Sequence, residues 1–373
     1  MSSTDLHDIS EWLSLDPYGL DRSAKERMLS ARLGELTSHH YANCPPYRGI
    51  VDALGGLGAN TGSTENTPFL PVRLFKDLDL RSVAAEEVVK TMTSSGTTGQ
   101  SVSRIYLDKG TATNQTRVLT RLVSTVMGSQ RLPMIIIDSE DVVKDRTKFS
   151  ARGAGILGFS MFARDRVFAL DSDMRLNLDA LRAFLAKHEG KPLFAFGFTF
   201  MIWQHFYREL AARDIELDLS QATLIHGGGW KKLAAQAVST HEFREALRDV
   251  SGLQRVHDYY GMVEQTGSIY LECEEGHLHT SIFSDVLIRR PFDFSPASVG
   301  EQGLIQVVSV LPVSYPGHSL LTEDEGIMLG EDDCACGRKG KYFSVLGRIK
   351  NAELRGCSDT YTPVLGQPAG VGV

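Results

Sequence analysis

No apolar run in the sequence is long enough to cross a bilayer. The longest, Leu193 to Trp203 (LFAFGFTFMIW), falls short of the roughly 20 residues a spanning helix needs. It reads as a buried strand entering a helix, or as the wall of an apolar ligand pocket. Met1 to Leu15 is polar and acidic, without the basic and apolar regions of a signal peptide. There is no basic excess either: 39 Lys and Arg face 46 Asp and Glu, a formal charge of −7. That balance argues against nucleic acid as the main partner. Cysteine is scarce, five in 373 residues, so no disulfide framework is expected. The pattern is that of a cytoplasmic chain with reduced thiols or thiolate metal ligands. Also missing are the Gly-Lys-Ser/Thr of a Walker loop and the Gly-x-Ser-x-Gly elbow of a serine hydrolase.

What is present is ordinary in bulk and specific in detail. A hydrophobic fraction of 42% and a charged fraction of 23% are globular values. A chain of this length buries about three quarters of its surface, and the length prior is two to three domains. Ile9, Trp12 and Leu13, then Ala24, Met28, Leu29, Leu33 and Leu36, keep helical spacing, with Asp8 or Ser10 as a cap. His39, His40 and His241 are expected at the surface, and His318 in a turn. From Val88 onward strands and helices alternate. Pro133 to Ile137 and Ala222 to His226 read as buried strands, which indicates an α/β core with partly parallel pairing. After residue 270 short β runs separated by Gly and Pro take over, as in a second, β-rich layer or subdomain. The expected division is a helical segment over 1–40, an α/β core over 41–270, a β-rich part over 271–350 and a tail over 351–373.

Thr93-Ser-Ser-Gly-Thr-Thr-Gly-Gln100 packs five hydroxyls and two glycines between two expected strands. Glycines let backbone N–H groups turn inward on an anion, and hydroxyls add donors. On composition alone a solvated turn is the better reading. The order of later motifs decides between them. His226-Gly-Gly-Gly-Trp230 follows an apolar strand, where α/β sheets carry ligand loops. Tyr259-Tyr-Gly-Met-Val-Glu264 comes next, then Thr322-Glu-Asp324 and Gly347-Arg348.

In that order the segments resemble the adenylate-forming superfamily of acyl-AMP synthetases. The resemblance makes Thr93, Ser94, Ser95, Gly96, Thr97, Thr98 and Gly99 the phosphate loop. It makes Gly227, Gly228, Gly229 and Trp230 the adenine side, followed by Tyr259, Tyr260 and Gly261. Glu264 would hold Mg²⁺ on the phosphates of ATP, Asp324 would grip the ribose hydroxyls, and Arg348 would contact ribose or phosphate. Two places depart from the family pattern: Ser101 and Val102 replace a Pro-Lys pair, and Val263 replaces a Thr. Phosphate charge then falls to Lys109, Arg104 or Mg²⁺. The implied fold is the N-terminal domain type of these enzymes, α/β with mixed sheets, flanking helices and a smaller β-rich C-terminal part. With 25 residues after Arg348, a full C-terminal lid domain is not expected.

Thr67 to Lys76, Thr91 to Leu107, Phe196 to Phe200, Cys336 to Tyr342 and Leu346 to Asp359 resemble, more narrowly, the acyl-protein synthetase (LuxE-type) family. The resemblance implies ATP-dependent activation of a long-chain fatty acid and transfer of the acyl group to a cysteine near the C-terminus. Cys357 occupies that position, and Arg355 beside it would favour the thiolate. It also implies a partner, an acyl reductase or acyl carrier. Cys273, His279, Cys334 and Cys336, with His277 close by, supply soft ligands for a structural Zn²⁺. A similar pattern occurs in the phenylacetate–CoA ligase branch, although reduced cysteines in a β-rich region would look the same. Two other readings stay open: a carboxylate–CoA ligase, and a degenerate member that binds acyl groups or scaffolds a partner.

Overall fold

The apolar runs become strands of one large sheet in the computed structural model, which describes residues 5–57, 63–94, 102–144, 151–230 and 236–349. Along the chain the strands are β1 (Leu70–Pro71), β2 (Val88–Thr93), β3 (Arg104–Asp108), β4 (Leu132–Ser139), β5 (Ala163–Leu170), β6 (Leu193–Phe198) and β7 (Ala222–Gly227). They continue as β8 (Arg255–Tyr260), β9 (Tyr270–Glu272), β10 (Leu278–His279), β11 (Ser284–Arg289), β12 (Gln302–Ser309), β13 (Ser319–Glu331) and β14 (Lys341–Arg348). β2 and β3 form a separate antiparallel hairpin.

In the sheet β5, β4, β6, β7 and β8 lie side by side and run parallel. β4, β6 and β7 are buried at every position, as strands covered on both faces must be. β8 then pairs antiparallel with β9, and the order continues through β10, β14, β13 and β12 to β11. The change of pattern after residue 270 is therefore a change of pairing sense inside one sheet. The run from Leu193 to Trp203 is β6 followed by a helical turn at Thr199–Met201.

Two elements on the parallel side carry weak sequence signals. The Ala151–Phe159 helix contains three glycines, each costly in a helix. The edge strand β5 begins with the charged Ala-Arg-Asp-Arg166. Both are formed all the same, because Phe159 stacks on Phe196 at 4.3 Å and β5 pairs along β4. The chain's start is tied in by its second helix, Arg22–Asn43, capped by Asp21 through the Ala24 N–H.

The placement of His40 corrects the surface expectation. It is fully buried and stacks on the equally buried His318 at 4.9 Å. Its Nδ1 lies 2.8 Å from Ser82 Oγ and its Nε2 3.1 Å from the Pro312 carbonyl. Burial drives the pKa values of both imidazoles down, so they are neutral core groups. His241, in contrast, is exposed.

A buried charge cluster fixes that helix to the antiparallel side. Lys341 Nζ lies 2.6 Å from Asp285 Oδ2, and Lys25 Nζ lies 3.3 Å from Asp285 Oδ1 and 2.6 Å from Thr280 Oγ1. Burial pushes the Asp285 carboxyl up, but the two ammonium groups outweigh it and hold its pKa below the usual value. Removing the shared anion would leave two cations without their partner. Asp285→Ala is expected to cost about 3–5 kcal/mol of unfolding free energy in urea titrations; a loss under 1 kcal/mol would contradict this role.

Candidate active site

The candidate site gathers at the carboxyl ends of the parallel strands and beside the antiparallel half. β7 ends in His226-Gly227, and Gly228 and Gly229 follow with φ of 84° and 61°, left-handed values that glycine adopts at little cost. Gly227 faces Tyr259 in register. A Cβ at Gly227 would lie 2.8 Å from the Tyr259 carbonyl oxygen and 2.7 Å from its ring, so only glycine lets the two strands carry Tyr259 here. Trp230 packs edge-on against Trp203, ring centroids 5.3 Å apart. His226 is buried with Nδ1 3.0 Å from Thr199 Oγ1. Burial, helped by the Arg244 charge, lowers its pKa to about 3.

From β8 the chain delivers Tyr260, whose hydroxyl donates to Asp324 Oδ2 at 2.7 Å. Asp324 and Arg348 face each other across β13 and β14, with Arg348 Nε 3.6 Å from Asp324 Oδ1. Burial raises the Asp324 carboxyl against the pull of the Tyr260 hydroxyl and the Arg348 guanidinium. Three residues separated by up to 88 positions thus meet on one spot.

Glu264 sits in a short turn, Val263–Gln265, and is buried. Burial raises its carboxyl pKa, while Ser103, Lys76 and Arg348 act in the opposite direction. A desolvated carboxylate of this kind has the chemistry to hold a divalent cation. The sequence points to Lys109 and Arg104 as counter-charges, whereas the charge that acts on Glu264 beside Arg348 is Lys76. In the sequence Lys76 is marked by its place at the end of the Thr67–Lys76 segment. The base of the hydroxyl-rich loop is closed by Ser94 N to Ser103 O at 3.2 Å and Ser103 N to Ser94 Oγ at 2.9 Å, beside the Thr93–Arg104 register pair. Ser95, Gly96, Thr97, Thr98 and Gly99 lie outside the described residues, as does Cys357.

A second cluster lies where β9, β10 and the β13–β14 connection meet. Ligand atoms of Cys273, His279, Cys334 and Cys336 all fall within 4.8 Å of one another. Cys273 and Cys334 sulfurs are 4.0 Å apart, and Cys336 Sγ is 3.4 Å from His279 Nε2. Tetrahedral zinc, with bonds of about 2.3 Å to sulfur and 2.0 Å to nitrogen, needs donors spaced close to this. His279 Nδ1 is buried without a hydrogen-bond partner. His277 Nδ1 also approaches Cys334 Sγ, at 3.4 Å.

A family model described as acyl-protein synthetase, LuxE, matches residues 1–365. The chain belongs to the LuxE acyl-protein synthetase family. Membership makes it an enzyme, a ligase. The family's curated relatives include the long-chain-fatty-acid–luciferin-component ligase of Vibrio harveyi, 24% identical over 359 residues, with 90% of this chain and 87% of that protein covered. The protein of that name from Aliivibrio fischeri is 21% identical over 319 residues, covering 80% and 79%. Among solved structures, an open conformation of 2-hydroxyisobutyryl-CoA ligase, bound to 2-HIB-AMP and CoA, superposes with a TM-score of 0.68 at 15% identity. It covers 90% of this chain and 77% of that one, so the LuxE-family chain has the adenylate-forming ligase fold. No helix among its described residues is long and apolar enough to cross a membrane.

The contact at Gly227 gives a direct check. Gly227→Ala forces a methyl against a backbone carbonyl, and is expected to cost about 1–3 kcal/mol in urea unfolding. An unchanged midpoint would show that β7 and β8 are not held this closely.

Proposed function

We propose that this LuxE-family ligase activates the carboxyl group of a long-chain fatty acid with ATP and passes the acyl group to its own Cys357. The observation that carries the reading is the meeting of Tyr260, Asp324 and Arg348 beside the buried Glu264, on an adenylate-forming fold. In the first step a carboxylate oxygen of the substrate attacks the α-phosphorus of ATP and pyrophosphate leaves. In the second the Cys357 thiolate attacks the acyl carbonyl, forming a thioester and releasing AMP.

Each residue has a task that matches its surroundings. Asp324 accepts hydrogen bonds from the ribose hydroxyls, with its carboxylate already oriented by Tyr260 and Arg348. Gly227, Gly228 and Gly229 keep β-carbons away from the base, and Trp230 and Tyr259 flank it. Thr93 to Gly99 supply phosphate donors. Lys76 and Arg348 offset phosphate charge, the work that the missing Pro-Lys pair would share. Glu264 would hold Mg²⁺, which supplies charge neutralisation on the phosphates. Positioning and charge complementarity carry the first step, since no protein nucleophile takes part in it. Delivery to a reductase or acyl-carrier partner, in the cytoplasm, completes the reading.

Fatty-acid-dependent exchange of labelled pyrophosphate into ATP tests the first step. Its absence across acids of all lengths would leave a binding or scaffold role. Glu264→Gln is expected to lower exchange by about 100-fold or more. For the second step, Cys357→Ser should retain exchange and lose labelled acyl groups that survive denaturation. Label still bound to that variant, or acyl transfer only on adding CoA, would refute transfer to Cys357.

We also propose that Cys273, His279, Cys334 and Cys336 hold a structural Zn²⁺ that pins the β13–β14 connection to β9 and β10. The donor set and spacing support this. Purified protein should contain one equivalent of zinc by mass spectrometry, with Cys336→Ser lowering that content. Well under one equivalent in the wild type would remove the metal from the reading.

A further inference from the structure

Glu264 and Asp324 stand on different parts of the sheet, the first in the turn after β8 and the second on β13. That turn is short, Val263–Gln265, and its own bonds are local. Gln265 N–H donates to the Met262 carbonyl at 3.2 Å, and Thr266 Oγ1 donates to the Val263 carbonyl at 3.0 Å. Neither bond reaches the antiparallel half. The side chain of Gln265 does. It is 2% exposed, and its Nε2 donates to the Gly317 carbonyl at 2.8 Å and the Val307 carbonyl at 3.2 Å. Val307 belongs to β12, and Gly317 to the connection over 310–318 that leads into β13.

The same connection presses on the turn with its backbone. A Cβ at Gly317 would lie 2.9 Å from the Glu264 carbonyl oxygen and 2.2 Å from the Tyr315 ring, so glycine lets it lie directly against Glu264. Tyr315 is itself fully buried, and its hydroxyl receives Gln115 Nε2 at 3.3 Å. The two carbonyls also fix which way the Gln265 amide points, since a flipped amide would set oxygen against oxygen. Oε1 is then buried without a hydrogen-bond partner among the described residues. A buried acceptor left open costs stability, and its presence in a native site calls for an explanation. Here the side chain gives up one bond to keep two, and what those two hold in place is its neighbour Glu264.

We propose that Gln265 is a positioning residue for Glu264. By clasping β12 and the β12–β13 connection, it fixes where the Glu264 carboxylate stands relative to Asp324. The inference rests on the adenylation reading above and adds a residue to it. In that reading Asp324 takes the ribose and Glu264 serves the phosphates. Ribose and phosphates are parts of one molecule, so the two carboxylates must keep a set separation. A three-residue turn held only by its own bonds can drift, and a misplacement of about 1 Å costs on the order of 100-fold in rate. Gln265 acts through Glu264, as the groups that orient metal-binding side chains generally do.

Gln265→Met keeps the length of the side chain and removes both donors. In pyrophosphate exchange it is expected to lose about tenfold or more in kcat, with KM for the acid moved by less than about twofold. Mn²⁺ binding in the presence of α,β-methylene-ATP, followed by electron paramagnetic resonance, should weaken by about tenfold or more. Ser268→Ala is the control for a merely structural role. Ser268 is buried in the same segment, its Oγ 2.7 Å from Ser309 Oγ, and its loss should lower stability while leaving kcat and Mn²⁺ binding in place. Added to Glu264→Gln, Gln265→Met should cost less than about twofold more, because the group it positions is already gone. Gln265→Asn, one methylene too short to reach both carbonyls, is the second variant and should repeat the pattern. Losses that multiply in the double variant, an equal loss in Ser268→Ala, or undiminished kcat and Mn²⁺ binding in Gln265→Met would overturn the proposal. No exchange by the wild type with any acid would bring down the adenylation reading and this inference with it. That result is distinct from wild-type exchange that Gln265→Met leaves intact.

Discussion

The reversal of pairing sense between β8 and β9 is the constraint on which the rest of the molecule depends. Strands β5 to β8 run one way and need crossover helices to do so. Once β8 pairs antiparallel with β9, the sheet can add hairpin-linked strands without further helices. The reversal brings a long antiparallel pair, β13 and β14, to the side of the parallel ends. Tyr260, from the last parallel strand, then reaches Asp324 on β13. A sheet that stayed parallel throughout would place a helix there instead of a carboxylate.

The same arrangement explains where the molecule spends its buried charge. Asp285 with Lys25 and Lys341 joins the Arg22–Asn43 helix to the antiparallel half, and Cys273, His279, Cys334 and Cys336 converge where the connection between β13 and β14 meets β9 and β10. Arg338, from that connection, lies over the Tyr18 ring at 4.6 Å and donates to the Leu271 carbonyl at 3.2 Å. Asp324 and Arg348 form the β13–β14 register pair farthest from this connection. Fixing the connection therefore fixes the register of the pair that bears them. The parallel half does the opposite, meeting the candidate site with glycines and aromatic rings.

Much of this was legible in the sequence because its signals are local. An apolar stretch such as Pro133 to Ile137 announces a buried strand, and glycines after Ala222 to His226 announce a loop at its end. The order of the motifs pointed to the fold, although none of them alone would. What stayed hidden depends on partners far away in the chain. The burial of His40 is set by His318, Ser82 and Pro312, none of them helical neighbours. Lys76 gains its meaning only from lying near Glu264. The Ala151–Phe159 helix defies its three glycines because Phe196 and Tyr259 give Phe159 a surface to cover. Nothing in the sequence near Arg152 announces Asp138, whose carboxylate lies 3.1 Å from its guanidinium, as its counterpart.

β14 ends at Arg348, one of the two residues that form the Asp324–Arg348 pair, and Cys357 comes nine residues later. Nine residues fully extended reach about 30 Å. The covalent chain therefore sets an upper bound on how far Cys357 can lie from the Asp324–Arg348 pair. The strand that carries Arg348 to Asp324 is thus also the fixed point from which the reach of Cys357 is measured.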